Sequence, residues 1–126
     1  MRKFSAAFST AFSAALAVAI LLAVSATRAH AAPRLGECAV GELCLWQHRG
    51  FHGERYTYEL LDTGMESCVT LPESAGAVAL ANRTGRPVTV YQSAVCEETG
   101  EFHTYPSGAW APESSYAVRG FKVWER

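Results

Sequence analysis

The chain has 126 residues, with 11 Lys and Arg against 12 Asp and Glu, and 49% of its residues are hydrophobic. That is material for one small domain, too apolar for wholesale disorder, and without the basic excess of a nucleic-acid binder. Neither a cofactor nor an enzyme of the large, cleft-forming kind is expected from it.

Met1, Arg2 and Lys3 open the chain as a short positive stretch, and an apolar run follows, densest from Ala11 to Val24. Ala29-His30-Ala31 then puts small residues where a leader is cut, which is the layout of a secretory signal peptide. Residues 1–31 are therefore expected to be removed, with cleavage between Ala31 and Ala32. The apolar run is short for a membrane span, and no membrane association is expected after cleavage. Residues 32–126 would retain 8 basic and 12 acidic residues, a net charge of −4. A modestly acidic, extracellular, monomeric domain follows from that reading.

Cys38, Cys44, Cys68 and Cys96 all lie beyond the expected cleavage site. An even count in a small exported chain reads as two disulfides, and four cysteines allow three pairings. The favoured pairing is Cys38–Cys44, tying the amino-terminal arm to the first strand, with Cys68–Cys96 linking two halves of the domain. Each bond would contribute about 2–4 kcal/mol, which matters where the core is thin. A zinc site is the competing use of these residues. It lacks paired CxxC spacing, and His48, His52 and His103 are scattered, so no metal is expected.

Along residues 32–126 no long helical period appears. Short β-branched and aromatic runs recur between Gly, Pro, Asn and Ser. Leu43–Gln47 reads as a strand, and Gln47–Gly53 as a folded turn. Glu54–Leu60 alternates, with Tyr56, Tyr58 and Leu60 on one side. Cys68–Leu71 is a short strand stopped by Pro72. Gly76–Ala81 is ambiguous, because alanine favours helix and the run is too short to stand as one. Asn82-Arg83-Thr84-Gly85 is a turn and a formal glycosylation sequon. A strand entered through Pro87 then carries Val88 and Val90 on one face and Thr89 and Tyr91 on the other. Pro106-Ser107-Gly108 is a further turn. Near the carboxyl end, Val118 and Phe121 reach one core only across a bulge, for which Gly120 is the natural place. The whole reads as an all-β domain of six to eight short strands in two weakly repeated halves, with residues 82–84 near their boundary.

Trp46, Phe51 and Gly53 are spaced to hold a folded hairpin, the two rings packing across it and the glycine taking a positive φ. The stretch Leu45–Gly53 resembles the first hairpin of a βγ-crystallin-type Greek key. Together with the leader, Cys38, Cys44-Leu45-Trp46, residues 82–85, Val88–Cys96 and Tyr105–Gly108, it resembles peptidase inhibitor family I36, small secreted actinobacterial proteins typified by a Streptomyces metalloproteinase inhibitor. The resemblance covers residues 38–124. It implies a Greek-key sandwich and a disulfide-fixed loop offered to an extracellular metalloprotease as an extended substrate mimic, a cysteine preceding an apolar residue at the contact bond. By position that cysteine is Cys96, and the candidate loop is Ser93–Gly100 with Cys96, Glu97 and Glu98 at the contact. Here the cysteine is followed by Glu97-Glu98, carboxylates that an apolar pocket accepts only at high cost, whereas a Cys-Val pair occurs at Cys68-Val69 in the first half.

A different reading is a non-catalytic extracellular binding or structural domain acting on cell wall or carbohydrate. Trp110, between a turn and Pro112, is the aromatic residue expected to be exposed for such binding. Some crystallin-like domains hold calcium through paired Asn/Asp residues and a later serine pair. Asp62-Thr63, Asn82-Arg83 and Ser114-Ser115 are not a clean copy. Nothing in the spacing of Ser, His and acidic residues marks a catalytic triad.

Overall fold

The computed structural model describes residues 35–72 and 75–126. The expected leader and its cleavage point lie outside these residues. Eight strands are described: β1 Glu42–His48, β2 His52–Glu59, β3 Val69–Thr70, β4 Ala79–Asn82, β5 Val88–Tyr91, β6 Phe102–Tyr105, β7 Trp110–Ala111 and β8 Gly120–Val123. One turn of 3-10 helix, Leu60–Asp62, follows β2. Among the described residues no helix is long and apolar enough to cross a membrane.

The strands make two antiparallel four-stranded sheets, ordered β2-β1-β4-β7 and β3-β8-β5-β6. Exchanging β1–β4 for β5–β8 converts the first order into β6-β5-β8-β3, which is the second sheet read backwards. Each half thus gives three strands to its own sheet and lends its third to the other. The repeat that is weak in the residues is complete in the topology, and Asn82 ends the first half.

Alternation decides what each face carries. Leu43, Leu45, Tyr56 and Leu80 point inward from the first sheet. Val88, Val90, Phe121 and Val123 meet them from the second, with Leu71, Ala77 and Val118 completing one buried cluster. Face-to-face packing of two twisted sheets gives such a core. The Tyr58 and Phe121 rings cross it edge to face at 4.8 Å.

The ambiguous alanine run becomes strand β4 because of its neighbours. It is hydrogen-bonded between β1 and β7, with Ala79 opposite Trp46 and Ala81 between Cys44 and Trp110. Those outward alanines lie beneath a second buried cluster of Cys38, Cys44 and Trp46, with Phe51 packed against it. Only small side chains leave room there, so tertiary packing overrides the helical preference of alanine. The arm before β1 completes the cover. Arg55 donates to the Glu37 carbonyl at 2.9 Å and Arg83 to that of Cys38 at 3.0 Å.

Asn82 is fully buried and its amide is satisfied. Its Nδ2 donates to the carbonyls of Arg86 and Tyr105, while its Oδ1 accepts from the Thr84 hydroxyl at 2.7 Å. The sequon is therefore an internal turn lock. Near Gly120, Arg119 N–H donates to the Tyr91 carbonyl although the residue registered opposite Tyr91 is Gly120. Two residues there face one, the count of a bulge, and Val118 and Phe121 reach the same core.

Candidate functional site

The first hairpin turns over three residues, 49–51, between His48 and His52. Trp46 and Phe51 meet edge to face at 5.0 Å. Gly53 has φ +80, and a Cβ there would stand 2.6 Å from Cδ2 of His48. Both conformation and space exclude a side chain at that position. His48 and His52 face each other at the hairpin end, while His103 lies on β6 against Tyr105 at 4.4 Å. These histidines do not converge. One group of three possible metal ligands occurs among the described residues, Cys38, Glu42 and Cys44. Its two sulfurs are bonded to each other, so neither is a thiolate.

A groove of ≈ 480 Å³ beside this hairpin is lined by Gln47, His48, Arg49, Val78, Glu113 and Ser114. It is spanned by the exposed Arg49–Glu113 ion pair at 3.8 Å. Such a pair is screened and contributes little.

Trp110 is 45% exposed. Its indole is nevertheless engaged, with Nε1 donating to the Gly36 carbonyl at 2.7 Å and the Arg83 guanidinium 5.6 Å from the ring. It clamps the amino-terminal arm. On the outer face of the second sheet, Tyr91 stacks with Phe102 at 6.1 Å, and Lys122 lies 5.8 Å from both the Tyr91 and Trp124 rings. Trp124 donates to the Thr89 hydroxyl at 2.7 Å. This aromatic strip is covered largely by its own members.

The second hairpin is built otherwise. Ten residues, 92–101, join β5 to β6. Gln92 closes its base, donating from N–H to the Glu101 carbonyl at 2.8 Å and accepting at Oε1 from Glu101 N–H at 3.2 Å. Cys96 is buried and bonded to Cys68, with the Cα atoms 5.9 Å apart. Its N–H returns to the Ser93 carbonyl at 3.2 Å, and Val95 N–H donates to Ser93 Oγ at 3.2 Å. From below, the Thr70 hydroxyl donates to the Ala94 carbonyl at 2.6 Å. Cys96 takes φ +56, a sparsely populated conformation for a residue with a Cβ. The disulfide and the hydrogen bonds around it hold that conformation in place.

Gly120 explains how close the turn can lie. A Cβ there would meet the carbonyl oxygens of Ser93 and Ala94 at 2.9 and 3.2 Å, and the sulfur of Cys96 at 3.1 Å. The segment expected to be extended is therefore two successive turns, the first of them pressed onto β8. Cys96 faces inward, and Glu97, Glu98 and Thr99 are exposed. Glu98 lies near enough to Tyr91 to reinforce the upward push that burial gives the phenol's pKa. At the apex stands Val95, 66% exposed. It directly precedes Cys96, whereas the expected contact residues Glu97 and Glu98 follow it. Its signal was an apolar side chain directly beside a disulfide anchor in an otherwise acidic loop.

Beside β6, Tyr116 donates its hydroxyl to the Val90 carbonyl at 2.9 Å. Burial foremost, then the charges of Tyr105 and Glu101, push its pKa up to about 12.

Residues 31–104 match the model of peptidase inhibitor family I36. No curated protein is significantly similar to the chain. Among solved structures, the βγ-crystallin domain of Abundant Perithecial Protein from Neurospora crassa, in its Ca2+-bound form, superposes with a TM-score of 0.53 at 18% identity, over 70% of this chain and 93% of that one. A structure from work on the evolution of the eye lens βγ-crystallin domain fold superposes with a TM-score of 0.54 at 13% identity, over 70% and 89%. Both likenesses are of fold. The all-β Greek-key architecture is that of a βγ-crystallin domain.

Proposed function

The chain belongs to peptidase inhibitor family I36, and from that premise we propose that it is an extracellular inhibitor that presents the turn 93–98 to a protease, with Val95 as the side chain that enters the enzyme. The observation that carries this reading is one exposed apolar residue at the apex of a turn held from four directions. Those four are the Cys68–Cys96 bond, the Thr70 hydroxyl, the Gln92–Glu101 closure and the contact with Gly120.

Such a turn is ordered before it binds, so association loses little chain entropy. The Cys68–Cys96 bond on one side and the Thr70 and Gln92 hydrogen bonds on the other also hold both ends near each other if a bond in the turn is cut, which favours resealing over release. Val95 suits an apolar pocket next to a catalytic centre. The flanking Glu97 and Glu98 stay at the rim, where carboxylates keep their water and are not forced into that pocket. A metalloprotease with an apolar primary pocket is the first target on this reading. The inhibitor itself performs no chemistry.

The test is a titration of the purified, disulfide-intact protein against a thermolysin-like metalloprotease and a subtilisin-like serine protease, followed by mass analysis of the inhibitor. Stoichiometric inhibition with the chain surviving is expected for the metalloprotease. Val95→Asp should weaken it about 10–200-fold and leave the unfolding midpoint unchanged, while Glu97→Gln should change it little. Inhibition untouched by Val95→Asp would displace the contact to another residue. No inhibition of either enzyme by folded protein would move the function to that of a non-catalytic extracellular binding domain.

A further inference from the structure

At the mouth of the first sheet, Glu42 and Glu59 are directly opposite each other on β1 and β2. Register puts both carboxylates on the same face, and like charges so placed oppose pairing. Among the described residues neither has a cationic partner; the Arg49–Glu113 ion pair lies at the opposite, hairpin end of β1 and β2. Glu42 is held by the N–H of Ala39, which donates to its Oε2 at 3.1 Å.

Two apolar side chains stand beside this pair. Leu61 is 95% exposed and Val40 79%. Together with Gly41 and Leu60 they line a groove of ≈ 380 Å³ between the chain entering β1 and the chain leaving β2. Leu61 is not out in solvent for want of structure. Its 3-10 turn is tied down by Leu60 N–H to the Gly41 carbonyl at 2.9 Å and by the Thr63 hydroxyl to the Glu59 carbonyl at 2.7 Å. An ordered groove with apolar walls and an acidic, unneutralised rim is a surface prepared for a partner.

We propose that this groove docks a cationic amphipathic segment of a second protein, a Lys or Arg placed between Glu42 and Glu59 with flanking apolar side chains against Val40 and Leu61. Charge complementarity selects that occupant: a cation relieves the opposed carboxylates, and an acidic or neutral segment leaves them in conflict. The inference does not rest on protease inhibition. Residues 62–66, leaving the groove, meet Val123 at one end of β8, through Glu66 N–H to its carbonyl. The turn carrying Val95 packs on Gly120 at the other end of the same strand.

The experiment is amide-shift mapping of the full protein titrated with a capped six-residue peptide of alternating Leu and Lys, beside a control with Glu for every Lys. Saturable shifts confined to residues 40–42 and 59–61, from the Lys peptide alone and weakening with added salt, are the expected result. Leu61→Ser and Glu59→Gln, both at exposed positions, should each weaken binding at least tenfold while circular dichroism stays unchanged. Both variants should keep whatever inhibition the parent has, so this proposal and the inhibitor reading fail separately. Equal shifts from the Glu peptide, shifts elsewhere, or no shifts overturn it. So would the same amides responding to Ca2+ alone, which would make the groove a cation site, or a concentration-dependent sedimentation coefficient abolished by Leu61→Ser, which would make a second copy the occupant.

Discussion

The hairpins β1–β2 and β5–β6 hold the same place in the two halves of one repeated topology, and they differ in almost everything else. The first turns in three residues and folds its aromatic pair back onto its own sheet. The second needs ten residues and reaches across to β3 and β8 for a disulfide, a threonine hydroxyl and the bare face of a glycine. The first has its aromatic pair within the hairpin and one distant tie at its tip, Gly50 N–H to the Pro112 carbonyl at 2.8 Å, whereas the second depends on a covalent tie to a distant part of the chain. A symmetric scaffold thus supplies the stability, and the asymmetric connection is free to carry an exposed, shaped surface.

That contrast can be broken most strongly at the distant anchor. Replacing Cys68 and Cys96 together by Ser should lower stability by about 2–4 kcal/mol in urea unfolding and abolish inhibition with it, since the turn loses its main tie. The glycines of the two hairpins offer a sharper comparison. Gly53→Ala meets both a positive φ and His48, and should cost about 1–3 kcal/mol. Gly100→Ala, without positive φ, would meet Gln92 Oε1 at 3.1 Å and its Cβ at 3.5 Å, disturbing only the Gln92–Glu101 closure, and should cost less, about 0.5–1 kcal/mol. Thr70→Val removes the hydroxyl that holds the Ala94 carbonyl. A loss of about 0.5–1.5 kcal/mol is expected, with faster hydrogen exchange confined to residues 93–96.

The smallest effect concerns pH. Tyr116 is neutral in the folded protein up to a pKa of about 12, whereas an unfolded tyrosine ionises near 10. The folded state then holds the proton longer, so its contribution is fully present below pH 10 and is lost as the pH rises toward 12. Thermal unfolding of Tyr116→Phe should show a shallower decline across that window. An unchanged slope would assign the alkaline decline to Tyr58, Tyr91 and Tyr105, whose pKa values burial also raises.

Much of this was open to inspection in the residues. The alternation of Tyr56 and Tyr58, the valines of β5 and the glycine punctuation all act over a few positions, where local sterics and burial of one face dominate. The Trp46–Phe51–Gly53 hairpin belongs to the same class. The alanine run 76–81 was not legible, because its conformation is set by two neighbouring strands and by the rings above it. Four cysteines allow three pairings, and the favoured one, Cys38–Cys44 with Cys68–Cys96, is the one formed. Trp110 illustrates the remaining gap. Its exposure follows from its position near a turn, yet its bond to Gly36 joins residues 74 apart in sequence.

By itself, then, the sequence determined an all-β chain of short strands, its turns, its aromatic hairpin and its membership of an inhibitor family, because those depend on residue types at short range. Tertiary structure decided that Val95 stands exposed beside a buried Cys96, that Gly120 must be bare for the turn to lie down, and that Glu42 confronts Glu59 beside Leu61. The meeting of Gly120 with residues 93–96 joins distant segments, and the confrontation of Glu42 with Glu59 is set by the register of one hairpin. What brings them together is the burial of a common core by two sheets, which no single stretch of sequence contains.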